Sequence, residues 1–119
     1  MKDRASYTCP LELTQDMMKG KWKPVILWQL GKGTASLAQL RNSINGISQK
    51  MLLEHLKELQ QVQVVGKKQY EGYPLKVDYF LTERGQRFLK VIMEMQQIGV
   101  EMMLEDGKEE LLRSKGLIE

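Results

Sequence analysis

SLAQLRNSINGISQKMLLEHLKELQQ, residues Ser36 to Gln61, is the stretch whose reading decides the fold. Ser36 and Gln39 stand three apart ahead of an apolar pattern. That is the spacing of a capping box, in which the serine hydroxyl accepts from the glutamine backbone N–H and the glutamine side chain reaches back. The helix it opens is short, with Leu37, Leu40 and Ile44 at one-face spacing. Asn45-Gly46 makes the next turn. Ser48 is a good N-cap for a further helix to about Gln61, carrying Leu52, Leu56 and Leu59 on one face. Two helices joined by a short turn containing glycine are what a helix-turn-helix requires.

Towards the N-terminus, Leu11, Met17 and Met18 among polar Glu12, Gln15 and Asp16 predict a first short helix, ended by Gly20. Pro24 suits the first turn of a second helix. That helix carries Val25, Ile26, Leu27, Trp28 and Leu30 on nearly every side, so it is expected to be central and buried, and Gly31-Lys32-Gly33 stops it. Beyond Gln61, Val64–Tyr70 and Lys76–Leu81 lean β-branched or aromatic, and Val77, Tyr79 and Leu81 alternate onto one face. Glu71-Gly72-Tyr73-Pro74 between them is a turn, so the pair is a hairpin that projects as a wing.

After Thr82, a plausible N-cap, a long helix runs to about Glu105. Phe88, Ile92, Met95, Gly99 and Met102 follow helical spacing, and Leu89, Val91, Met93, Ile98, Val100, Met103 and Leu104 add apolar surface on other sides. A helix so apolar in a chain this small is expected to be buried against its own domain and against a second copy. Phe88, Ile92, Met95, Gly99, Met102 and Met103 form the expected dimer interface. Asp106-Gly107 breaks the helix, and Leu111, Leu112, Leu117 and Ile118 suggest a last short helix on the same interface. The expected fold is mainly α with a small β-hairpin wing: a winged helix-turn-helix, homodimeric through its terminal helices. Residues 1–119 read as one domain, with a DNA-binding core over 8–82, its wing at about 64–82, and dimerisation helices over 83–119.

The bulk numbers agree with this reading. A chain of 119 residues fits one domain, and 42% hydrophobic with 28% charged residues is ordinary for a globular protein. Val25-Ile26-Leu27-Trp28 falls far below the roughly 20 apolar residues of a membrane span. The N-terminus has charges but no apolar core after them, so no signal peptide is visible. A single cysteine suits a reducing cytosol, and a cytoplasmic location is expected. Net charge is +3, but residues 1–76 hold 12 Lys and Arg against 6 acidic residues, whereas residues 77–119 hold 6 against 9. A basic front suggests a face for phosphates, though an ordinary solvated surface gives the same sum. His55 is the only histidine, and Cys9 with His55 makes poor ligation, so neither metal nor cofactor is expected. No glycine-rich phosphate loop, carboxylate pair or nucleophile elbow points to an enzyme. The methionines are expected to fill core and interface gaps, with room there for a small effector.

Helical residues advance by about 100° each. On that wheel Gln49, Lys50, Leu53, Glu54 and Lys57 lie together opposite Leu52, Leu56 and Leu59, and so face a major groove. Glutamine pairs with adenine, lysine with guanine acceptors or a phosphate, glutamate with cytosine N4, and leucine meets a thymine methyl. A solvated amphipathic surface is the plain alternative. Lys67, Lys68 and Lys76 on the wing strands, with Tyr73 at its tip, suit phosphate or minor-groove contact. Lysines on hairpins also serve as protection of exposed edges. Ser36 with its helix N-terminus, Arg41, and Ser48 at the start of the recognition helix complete the expected DNA face.

Several short stretches make the chain resemble the HxlR-type family of bacterial transcription regulators, relatives of the MarR-like group. They are Cys9-Pro10-Leu11-Glu12, Gly20-Lys21-Trp22, Gly46-Ile47-Ser48 with Lys50 and Leu52, and Leu56-Lys57-Glu58-Leu59. Pro74, Val77-Asp78-Tyr79-Phe80-Leu81-Thr82 and Gly85 complete the set over roughly residues 9–99. The chain departs from the family pattern at Leu53-Glu54-His55, where a small polar residue and Gln-Arg are usual, and this bears on the sequence bound. It also has Gln63 where glycine usually ends the helix, and Ile98 in place of an aromatic. Cys9 reads either as a small buried hydrophobe or as a redox or electrophile sensor at a helix start. The resemblance implies the sensor, since some members sense oxidants through this position. With one cysteine the switch needs a disulfide between subunits, alkylation or a mixed disulfide. The expected function is a regulator that reads a near-palindromic operator in double-stranded DNA as a dimer, with repression the expected sign. The alternative is a winged-helix protein–protein module whose basic face takes an acidic partner.

Overall fold

The computed structural model describes residues 3–119. After a 3₁₀ turn at Arg4–Ser6 come α1 (Pro10–Met17), α2 (Trp22–Leu30), α3 (Leu37–Ser43) and α4 (Gln49–Gln61). Two strands, β1 (Val65–Tyr70) and β2 (Lys76–Leu81), lead into α5 (Glu83–Glu105) and α6 (Glu109–Ser114). The architecture is mainly helical with a two-stranded hairpin, a winged helix-turn-helix. The chain divides into two compact units, one ending at Leu89 and the other Lys90–Glu119.

In the first unit the helix boundaries follow from their caps. The capping box is formed in full: the Gln39 N–H donates to Ser36 Oγ at 3.2 Å, and the Ser36 N–H donates to Gln39 Oε1 at 2.8 Å. Ser48 Oγ accepts from the Met51 N–H at 3.1 Å and starts α4. Between α3 and α4, Gly46 has φ +89°, the left-handed conformation that lets the turn reverse within a few residues. At α1 the expected stop moves: the helix ends at Met17, and Gly20, at φ +94°, lies three residues beyond it. The core of this unit is Ile26, Leu27, Leu40, Leu52, Leu56, Leu59 and Val64, all fully buried. The helix α2 is central, as its all-round apolar pattern predicts, but it also buries Lys23.

The hairpin pairs antiparallel from Val65↔Leu81 to Tyr70↔Lys76. A third strip of backbone joins it, unforeseen in the sequence: the Ala35 N–H donates to the Tyr79 carbonyl at 3.0 Å, and the Tyr79 N–H to the Ala35 carbonyl at 2.8 Å. The wing is thus tied to the residue just before the Ser36 cap.

The end of α4 is a Schellman closure. The Val64 N–H donates to the Leu59 carbonyl at 2.9 Å and the Gln63 N–H to the Gln60 carbonyl at 3.0 Å. The same pair of bonds ends α5 around Gly107, with Lys108 N to Met103 O at 2.9 Å and Gly107 N to Leu104 O at 3.1 Å. In α4 the left-handed position is taken by Gln63 at φ 61°, where most helices use glycine. In the second unit, Val100 and Leu112 are buried.

A side chain in the left-handed region costs about 1–2 kcal/mol, and glycine returns part of that through its looser unfolded state. Gln63→Gly is therefore expected to raise stability by about 1 kcal/mol, roughly 4 °C in a thermal melt followed by circular dichroism. A lower melting temperature in that variant would contradict this account of the turn.

Candidate nucleic-acid interface

The helix α4 is split cleanly between two environments. Leu52, Leu56 and Leu59 are each 0% exposed, while Gln49, Lys50, Glu54 and Lys57 are exposed and Leu53 is 41% exposed. This is the division that the helical wheel predicts. Burying each leucine contributes about 1.5–3 kcal/mol, so the rotation of α4 about its axis is held by its apolar face. Ser48, at the exposed N-terminus, has its hydroxyl committed to the Met51 cap.

At α3, Ser36 is half-buried and both its amide and hydroxyl serve the capping box. Arg41 is exposed, and its Nη1 donates to Gln49 Oε1 at 3.2 Å. Local spacing does not reveal this contact, because the two residues belong to different helices. The Gln49 oxygen keeps a second lone pair, so the amide still offers an acceptor as well as its N–H₂ donors. A bidentate pair with adenine needs both oxygen and nitrogen.

The wing lysines divide between two faces. Residues directly opposite in a ladder share a face, and successive residues alternate. Lys68 therefore shares a face with its partner Asp78, and Tyr70 shares that face with its partner Lys76. Lys67, opposite Tyr79, lies on the other face. On the shared face Lys68 Nζ is 4.9 Å and Lys76 Nζ 4.8 Å from the Tyr70 ring centroid, so the ring holds both ammonium groups by cation–π attraction. Desolvation, together with the neighbouring Asp78 carboxylate, holds the Tyr70 phenol above its ordinary pKa. Tyr73, at the tip, is 100% exposed, and Leu75 beside it is largely exposed.

Cys9 is exposed and occupies the N-cap position of α1, where its side chain makes no capping bond. The buried-hydrophobe reading of this thiol is therefore corrected: at the chain's N-terminal edge no core reaches it. His55 is half-buried, and both ring nitrogens are buried with no hydrogen-bond partner among the described residues. Among those residues no group of three or more His, Cys, Asp or Glu is placed to hold a metal ion. Among the described residues no helix is long and apolar enough to cross a membrane.

Along α5, Met95 and Met102 of the set that spacing selects are exposed and share an outward stripe with Val91 and Ile98. Ile92 is only 8% exposed in the single chain, and Phe88, Gly99 and Met103 are half-buried. Val91, Met95, Ile98 and Met102 are each more than half exposed, at i, i+4, i+7 and i+11. Both stripes are apolar, so spacing cannot rank them. Exposure can.

Against known families, residues 17–107 match a family described as HxlR-like helix-turn-helix. MalR of Fusobacterium mortiferum, named as a regulatory protein, is 37% identical over 102 residues, 85% of this chain and 96% of that protein. YkvN of Bacillus subtilis (strain 168), an uncharacterized HTH-type transcriptional regulator, is 32% identical over 114 residues, 93% of this chain and 97% of that one. Among solved structures, the redox regulator HypR in its reduced form superposes with a TM-score of 0.74 at 29% identity, covering 89% of this chain and 99% of that chain.

Proposed function

This chain belongs to the HxlR-like helix-turn-helix family, a transcriptional regulator family, and from that premise we propose that it reads a near-palindromic operator as a homodimer and represses the promoter it occupies. The observation that carries this reading is the split of α4, whose exposed face offers Gln49, Lys50, Leu53, Glu54 and Lys57 while three fully buried leucines hold it outward. On a major groove, Gln49 pairs with adenine through its oxygen and N–H₂ group, while Arg41 reaches a phosphate. Lys50 takes guanine acceptors, Glu54 a cytosine amine, Leu53 a thymine methyl, and Lys57 the backbone. The amides at the Ser36 and Ser48 helix starts face phosphates. Lys67, Lys68, Lys76 and Tyr73 bring the wing to the neighbouring backbone or minor groove.

Fluorescence anisotropy against promoter fragments, with competitor DNA and across a salt series, tests this. Gln49→Ala is expected to relax preference at one base position by about 1–3 kcal/mol. Lys57→Ala is expected to weaken all sequences alike and flatten the log–log salt slope by about 0.9 per lost phosphate contact in each subunit. Binding that ignores base sequence would return the protein–protein alternative.

The second copy seats on the stripe of Val91, Met95, Ile98 and Met102, continued by the exposed Leu111 of α6. An exposed apolar row of this length marks an interaction surface. Ile98→Glu places a charge at its middle, and sedimentation at micromolar concentration is expected to show a dimer for the parent chain and a monomer for the variant. A monomeric parent would remove the dimer from the proposal.

Cys9 is the proposed sensor. Its exposure lets two thiols from two subunits give up two electrons and two protons to an oxidant and join as one disulfide. HypR, named a redox regulator, supports this assignment. Operator affinity of the parent is expected to change on treatment with diamide and that of Cys9→Ser to stay constant. An equal response in both would dispose of the sensor.

A further inference from the structure

In the first unit a cavity of about 780 Å³ opens among the N-terminal 3₁₀ turn, α1, the start of α2 and the C-terminal half of α4. Small-molecule sites commonly measure about 300–1,000 Å³. Its lining joins apolar Met17 and Val62 to charges of both signs.

The central feature is an unequal ion pair. Lys23 lines the cavity and its side chain is 11% exposed, whereas its partner Glu58, on the recognition helix, is 56% exposed. A buried ammonium without a counter-ion is strongly disfavoured, so Lys23 requires an anion. Glu58 is under no such constraint, since a half-exposed carboxylate returns to water at little cost. Lys23 holds the Glu58 carboxyl below its ordinary pKa, so the carboxylate is charged at neutral pH. Glu58 is in effect a removable counter-ion on a fixed buried cation.

The remaining charges favour an incoming anion. Arg4 and Lys19 also line the cavity. Of the two acids left once Glu58 departs, Asp3 and Asp16, the latter accepts from the Tyr7 hydroxyl at 2.8 Å. Three cations then face two carboxylates, one of them already hydrogen-bonded. We propose that this cavity binds a small organic carboxylate with a compact apolar body. The ligand carboxylate replaces Glu58 on Lys23, and its body lies on Met17 and Val62. Release of Glu58 removes a tie between α2 and the recognition helix, which makes the site an effector site. That regulatory consequence rests on the operator-binding reading; the binding step does not.

The test begins without DNA. Calorimetry of the full chain compares cyclohexanecarboxylate with cyclohexylmethanol and cyclohexylmethylamine, three probes that differ in the charge of the head group. Only the carboxylate is expected to bind. Glu58→Gln, which weakens the internal competitor, is expected to tighten it threefold or more, and Lys23→Met to weaken it tenfold or more. Equal binding of all three probes, or no tightening in Glu58→Gln, overturns the site, and the second criterion stands even if Lys23→Met does not fold. Anisotropy then follows operator affinity in the parent chain. A threefold or greater change at saturating carboxylate, reproduced in direction by Glu58→Gln alone, supports the coupling, and an unchanged affinity overturns it. A chain that binds the carboxylate but no DNA overturns the operator reading and leaves the cavity assignment standing.

Discussion

The hydroxyl of Thr82 holds together the place where recognition helix, wing and long helix meet. It lies 2.6 Å from the Gln63 carbonyl and 3.0 Å from the Val64 carbonyl as donor, and accepts from the Gly85 N–H at 3.1 Å. The Thr82 N–H donates to the same Val64 carbonyl at 3.1 Å, and Arg84 Nη1 reaches the Val62 carbonyl at 2.8 Å. A helix leaves its last carbonyls without partners in its own ladder. Here the start of α5 supplies partners to the carbonyls of Val62, Gln63 and Val64, just past the end of α4. The approach is close: a Cβ at Gly85 would lie 2.2 Å from the Val64 oxygen, so only glycine fits. The wing is rooted at the same point through Val65↔Leu81. Three elements share one small set of polar groups, and none can shift without breaking a bond that another needs.

That junction fixes where α4 ends, and the leucines fix how it is rotated. Three fully buried leucines set the rotation of α4 without help from the Glu58 carboxylate, which is half in water. Glu58 is thus free to be exchanged without endangering the fold, while Lys23 still requires an anion. A contact of little structural worth on one side and high desolvation cost on the other is suited to being a switch.

What could be read from the sequence was local. The Ser36 capping box, the Ser48 cap, the outward face of α4 and the hairpin all depend on residues a few positions apart, where helix and strand geometry alone decides contact. What could not be read joins distant positions. The Ala35–Tyr79 bridge, the Lys23–Glu58 pair, the Arg41–Gln49 bond and the Thr82 tie each need the tertiary fold before the partners meet. On α5 the difficulty was different. Phe88, Ile92 and Gly99 compete with Val91 and Ile98 for the places beside Met95 and Met102, which both stripes share, and equal periodicity gives spacing nothing to choose between. Gln63 lies between the two cases: its position showed where a helix stops, and the left-handed backbone it accepts had to be seen.

The wing also bears on how the molecule divides affinity from selectivity. Lys68 faces Asp78 across the ladder, and the Lys68 and Lys76 ammonium groups lie 4.9 and 4.8 Å from the Tyr70 ring centroid. The whole chain carries only +3, so the long-range attraction of its summed charge for a phosphate backbone is small. Under the proposed function, discrimination then rests on the few side chains of α4 and on two copies engaging together. Two weakly attracted units joined into one particle bind a paired site far more tightly than either alone, because the second contact becomes intramolecular. A single half-site elsewhere gains no such advantage. In the proposed dimer, a modest net charge and the apolar row on α5 act in the same direction, favouring a matched pair of contacts over a lone one.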